Sequence, residues 1–142
     1  MNRWMQIAYN EAVEGMLADE GGPFGAVIVK GEKVIATAHN EVLKSNDPTA
    51  HAELNAIRRA SKLLGSFDLS ECTLYCTCKP CPMCLGAIFW ARIGTVYYGA
   101  TGEDAARGGF DDLRFYDMLE GRNSDVVLRQ LDHEANAKLF EQ

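Results

Sequence analysis

No stretch of this 142-residue chain approaches the roughly 20 consecutive apolar residues that a membrane span requires. Basic residues are in deficit as well, 14 Lys plus Arg against 20 Asp plus Glu, for a formal net charge of -6. A protein that embraces a long polyanion usually carries a basic face. Here the positive residues are scattered, apart from Arg58, Arg59 and Lys62 on one helical segment, so nucleic acid is disfavoured as a partner. The opening residues, MNRWMQIAYNEAVEGML, lack the apolar stretch and small-residue cleavage site of a secretory signal. The five cysteines are odd in number, which does not suit a fully paired disulfide framework. Together these absences predict a reducing, cytoplasmic setting and no membrane association. Repeats, low-complexity segments and interdomain linkers are missing too, so residues 1–142 read as a single domain. What remains, 47% hydrophobic and 24% charged residues, is ordinary globular composition.

Periodicity predicts a first helix over residues 2–18, with Trp4, Ile7, Ala8, Met16 and Leu17 among its buried positions. GGP at 21–23 ends that pattern, and FGAVIVK (24–30) turns at Gly31-Glu32 into KVIATAH (33–39), a hairpin. A polar loop over 40–50 leads to a helix from about His51 to Leu64, with Asp47 or Thr49 as its cap and Gly65 as its stop. Strands follow at 72–77 and 95–99, with a helix from Pro80 to about Arg92 between them. A short helix at 113–119, a fifth strand at 125–130 (DVVLRQ) and a last helix at 132–141 complete the pattern. Strands alternating with helices after an opening hairpin predict a mixed α/β sheet covered by helices on both faces.

Two segments carry chemistry. HAE (51–53) offers His51 and Glu53, and PCPMC (80–84) offers Cys81 and Cys84. The two cysteines are three apart, so on a helical first turn they share a face and can hold one ion. Pro80 and Pro82 suit such a turn, and the positive end of the helix favours thiolates. Two thiolates and a neutral imidazole balance a divalent cation and leave the fourth tetrahedral position to water, the open arrangement of catalytic zinc. Glu53, two residues from a ligand, is placed to move protons for that water. Ordinary alternatives exist: a structural zinc knot, or a glutamate serving the helix dipole. Cys78 also forms a C-x-x-C spacing, with Cys81, and competes as a ligand. Cys72 and Cys76 share one alternation face of a strand and read as buried apolar residues.

H-x-E followed by P-C-x-x-C is a signature of zinc-dependent nucleobase deaminases. With GGPFGAVIVK (21–30), SNDPTAHAE (45–53), CPMCLGAIFWAR (81–92) and DAARGGFDD (104–112), the chain resembles the cytidine deaminase superfamily, specifically its bacterial guanine deaminase branch. The resemblance implies a three-layer α/β/α sandwich around a mixed five-stranded sheet, with one zinc ion per chain. It also implies a homodimer in which a C-terminal segment can pass to the partner. His51, Cys81 and Cys84 would hold the zinc, and Glu53 and Asp112 would be catalytic. Asn40, Phe24, Ala52 and Trp90 would contact the base. Asn40 also suits a turn, Phe24 and Trp90 a core, and Asp112 a helix cap. The implied reaction is hydrolytic deamination of a free nucleobase, guanine to xanthine and ammonia. Guanosine, isocytosine, cytosine and ammeline are rival substrates, as is the adenosine of a tRNA. A non-enzymatic zinc module is a further alternative, against which Glu53 argues. Lys79 stands where the branch usually has glutamate, and the tail offers Phe140 as its only obvious pocket-closing aromatic.

Overall fold

The segment GAVIVK is apolar toward both of its sides, and the architecture follows from that. In the computed structural model, which describes residues 1–141, it forms strand β1 (Gly25–Lys30), buried at five of six positions. Val27 and Val29 face helix α1 (Arg3–Leu17), packing with Ala8, Trp4 and Ile7. Ala26 and Ile28 face the opposite layer, made by α3 (Ala52–Leu64) and α4 (Pro82–Trp90). A strand covered on both faces belongs at a sheet centre. β1 accordingly pairs antiparallel with β2 (Lys33–His39) on one side and with β3 (Thr73–Cys78) on the other. β4 (Thr95–Ala100) adds parallel to β3, so the order is β2-β1-β3-β4.

Local signals account for most boundaries. The hairpin turns through Gly31 at a φ of +61°, a conformation glycine adopts without strain. Asn2 caps α1 by accepting from the amides of Trp4 and Met5, and Gly65 ends α3 in a left-handed conformation. The buried face of α3 is a stripe of small residues, Ala52, Ala56 and Ala60, at one-turn spacing. Helix α1 sits closer still. A Cβ on Gly25 would lie 1.9 Å from the Ala8 carbonyl oxygen and 2.6 Å from the Ala12 nitrogen.

Three expectations need correction. Among the described residues the sheet has four strands, not five, since residues 125–130 pair with no strand there and Val126, Val127 and Leu128 are exposed. A strand needs a neighbour for its backbone groups, and alternation alone does not supply one. Met16 and Leu17 point to solvent (43% and 75% exposed), because the fully buried face of α1 is the small-residue row Ala8, Ala12 and Gly15 that its close approach to the sheet requires. The fourth helix begins at Pro82 instead of Pro80, with Cys81 as its N-cap. Two short helices were not foreseen: α2 (Val42–Ser45) and α5 (Gly102–Arg107), the latter opened by a reciprocal Thr101–Asp104 capping box. α6 (Asp112–Leu119) packs on α5 and α4. The chain then runs out through α7 (His133–Ala137) and a 3-10 turn at Lys138–Phe140. No helix among the described residues is long and apolar enough to cross a membrane.

The Gly25 contact can be tested directly. Because both obstructing atoms are backbone, Gly25→Ala should destabilise the protein by about 3 kcal/mol, the upper part of the overpacking range. Urea unfolding of the two proteins measures this, and equal midpoints would show that α1 does not depend on the close approach.

Candidate active site

Helices α3 and α4 begin at the same end of the sheet, and their N-caps are His51 and Cys81. Both start positions are built locally. Ahead of α3, the Asp47 carboxylate accepts from the amide (2.8 Å) and hydroxyl (2.7 Å) of Thr49, while Asn46 turns at a φ of +51°. The Asn55 side-chain amide then donates to the carbonyls of His39 (3.1 Å) and Ala50 (3.3 Å), pinning α3 to the end of β2. Ahead of α4, the Lys79 amide donates to the Ala100 carbonyl at 2.8 Å. The Tyr116 hydroxyl donates to the Pro80 carbonyl at 2.6 Å, which ties α6 to the cysteine loop. Pro82 opens α4 at the one kind of helical position where its missing N–H costs nothing.

His51, Cys81 and Cys84 meet where these helix ends converge, with donor atoms all within 4.8 Å of one another. His51 Nδ1 lies 3.5 Å from Cys81 Sγ and 3.6 Å from Cys84 Sγ. Tetrahedral zinc with bonds of about 2.3 Å to sulfur and about 2.0–2.1 Å to nitrogen separates those ligand atoms by about 3.5 Å, so the cluster fits the ion. The charges agree with the distances. Cys81 is drawn down to about 4, first by a hydrogen bond from the Cys84 thiol and also by His51. Cys84 is correspondingly pushed up, first by its bond to Cys81 and then by burial. One thiolate is thus sustained by hydrogen bonds and the charge of His51, and a dication would supply what the second needs. Cys78 stands apart from this cluster. Its thiol lies 3.8 Å from the Thr101 carbonyl, and burial pushes it up to about 11.

A cavity of ≈ 490 Å³ opens over the cluster. His51, Cys81, Glu53, Asn40, Phe24 and Asp112 all line it, whereas Cys84 lies beneath, fully buried. Burial pushes the Glu53 carboxyl up to about 7, suited to taking and returning protons near neutrality. Burial raises Asp112 too, reinforced by the Cys81 charge. Asn40 accepts the Val42 amide on its Oδ1 at 2.9 Å, so its NH₂ group is not engaged by that bond. Two sequence candidates lie elsewhere. The Ala52 side chain is in the core beneath α3, and Trp90 is 71% exposed at the end of α4, packed edge-on against Phe89 and away from the cavity. The sequence reading missed Phe110, which meets Phe24 edge-to-face at 4.8 Å and completes an aromatic wall. An aromatic flanked by glycines in the polar segment ARGGFDD was the available signal. Lys79 also lines the cavity, its ammonium 5.0 Å from the Tyr116 ring centre.

With this fold and cluster in place, the wider similarities agree. Residues 1–100 match the cytidine and deoxycytidylate deaminase zinc-binding region, and the chain belongs to that family. It is 54% identical over 117 residues to a guanine deaminase of Bacillus subtilis, spanning 82% of this chain and 75% of that protein. A crystal structure of guanine deaminase from the same species superposes with a TM-score of 0.87 at 47% identity, covering 99% of this chain and 94% of the other. A tRNA-specific adenosine deaminase of Agrobacterium fabrum is 37% identical over 140 residues, 98% of this chain and 90% of that one.

Glu53→Gln keeps the shape of the side chain and removes its transferable proton. The variant should fold and bind zinc like the parent while deaminase turnover falls by about 10²–10⁴-fold, the usual worth of general acid–base catalysis. Zinc analysis and ammonia release on the same preparation decide it, and half-normal turnover would assign the protons to another group.

Proposed function

We propose that this zinc-dependent aminohydrolase deaminates free guanine, producing xanthine and ammonia. The observation that carries this reading is a second carboxylate, Asp112, lining the same cavity as Glu53 and Asn40. Guanine offers two adjacent donors, ring N1–H and the 2-amino group, which one carboxylate accepts together; cytosine and adenine lack that edge. The similarity to guanine deaminases of Bacillus subtilis supports the choice.

His51, Cys81 and Cys84 would hold the zinc, and a zinc ion so held lowers the pKa of bound water from 15.7 to about 7. The remaining work falls to the chain's own groups. Glu53 takes a proton from the attacking water and passes it to the ring nitrogen beside carbon 2. It then moves the remaining proton of the added hydroxyl to the departing amine, so that carbon 2 becomes a carbonyl as its bond to nitrogen breaks and ammonia leaves. Asp112 fixes the donor edge of the base, the Asn40 amide donates to an acceptor on the ring, and Phe24 with Phe110 confines the ring plane. The adenosine deaminases of tRNA share the zinc and proton chemistry. The net charge of -6 favours a small base over RNA.

The protein is proposed to be a cytoplasmic single-domain homodimer. All five cysteines are free thiols, which suits a reducing compartment. Support for the dimer comes from the tail, where Leu128, Leu131, Leu139 and Phe140 are 93%, 81%, 65% and 88% exposed. β4 also ends the sheet with Tyr97 and Tyr98 half exposed. An exchanged C-terminal segment covers such surfaces in a dimer.

Asp112→Asn replaces an acceptor-only carboxylate with an amide whose NH₂ opposes the donors of guanine. A mismatched buried polar group costs about 1–3 kcal/mol, so kcat/KM on guanine should fall by about tenfold or more with zinc content and stability unchanged. Steady-state kinetics on guanine, isocytosine, cytosine and adenine test this. Wild-type preference for cytosine, or unchanged guanine kinetics in the variant, would overturn the substrate assignment.

A further inference from the structure

Beside the cavity wall lies a part-buried ionic cluster that the proposed catalytic residues do not use. His39, the last residue of β2, is nearly buried, and both of its ring nitrogens face carboxylates. Nδ1 lies 2.7 Å from Glu11 Oε2 on α1, and Nε2 lies 3.1 Å from Glu20 Oε2 on the loop after α1. An ionised carboxylate only accepts, and a neutral imidazole has one N–H, so only the imidazolium can donate to both partners. Gly15 of α1 lies flat against the ring, where a Cβ would come 2.4 Å from His39 Cδ2.

The clamp connects to the cavity in two ways. Asn40 follows His39 directly. Glu20 precedes Gly21, whose missing Cβ would lie 2.2 Å from Asn40 Oδ1, so the loop rests on the Asn40 side chain. The Glu20 carbonyl accepts from the amides of Leu43 and Lys44, each at 3.0 Å, and thereby holds α2. Gly21, Asn40 and Leu43 all line the cavity.

We propose that His39, as an imidazolium held between Glu11 and Glu20, is a positioning residue for the substrate-binding wall, and that loss of its proton loosens that wall without touching the proton chemistry. The charged groups around it agree. α1 contributes Glu11 and the loop contributes Glu20. α2 contributes Lys44, whose ammonium is 3.5 Å from Glu20 and 3.9 Å from Glu41. α3 contributes Arg59, which Glu41 engages at 2.6 Å, and the neutral Asn55. Burial opposes the charge on His39, but hydrogen bonds and charges from Glu11 and Glu20 outweigh it and raise its pKa. The sign follows: the clamp is complete below the unfolded histidine value of about 6.5 and is lost as pH rises through the higher folded value.

The inference rests on guanine turnover for its kinetic arm, and a substrate-free arm keeps the two separable. In ¹⁵N NMR of the zinc-loaded wild type, His39 should show two protonated ring nitrogens at neutral pH. The Asn40 side-chain amide signals should move with the His39 titration, and Glu20→Gln should shift that titration to lower pH. A singly protonated His39 at neutral pH, or Asn40 signals indifferent to its titration, overturns the proposal whatever the substrate. With guanine, the wild-type KM should rise at alkaline pH through the same transition, which should be absent in His39→Gln. That variant should show a KM raised by about tenfold with kcat within about twofold. A fall in kcat at unchanged KM would make His39 part of the chemistry instead, and would also overturn the proposal.

Discussion

Two sulfurs, each 3.5–3.6 Å from one imidazole nitrogen below the surface, form a charge arrangement that hydrogen bonds satisfy only in part. The Cys81 thiolate can be maintained by the Cys84 proton and by His51, but two thiolates side by side need a cation. Much of the surrounding structure serves to bring these groups together. The positive ends of α3 and α4 converge on them, and the Tyr116 hydroxyl and Asn55 amide anchor the loops that lead into those helices. Glu53 gains its raised pKa from the same burial, so this carboxyl and the candidate metal ligands depend on one packing arrangement.

The sheet makes that burial possible. Because β1 runs antiparallel to both neighbours, its first residue, Gly25, lies at the same end as the last residues of β2 and β3, which deliver His39-Asn40 and Cys78-Lys79 to one rim. One wall of the cavity is then set by Phe24, Phe110 and Asp112, the other by Asn40 and α2. The family match covers residues 1–100, which include His51, Glu53, Cys81 and Cys84. Phe110 and Asp112, which line the same cavity, lie beyond it.

Legibility in the sequence followed the range of the forces involved. The four strands and helices α1, α3, α4 and α6 were readable to within a few residues, because alternation, caps and glycine stops are local. The convergence of His51, Cys81 and Cys84, with Glu53 lining the same cavity, was readable because zinc chemistry restricts both residue type and spacing. The fifth strand was misread since DVVLRQ has the right alternation but no neighbouring strand, which is a tertiary matter. The exposure of Trp90 and the core position of Ala52 depend on which way two helices roll on the sheet. The His39 clamp was invisible for the same reason: its partners lie 28 and 19 residues away.

X-ray absorption at the zinc edge tests the central claim most directly, since it counts ligand types around the ion without any variant. The zinc-loaded protein should give two sulfur neighbours at about 2.3 Å and nitrogen or oxygen neighbours at about 2.0–2.2 Å. Three or four sulfurs would bring Cys78 into the shell and make the centre a structural one, contradicting the open site on which the proposed chemistry depends.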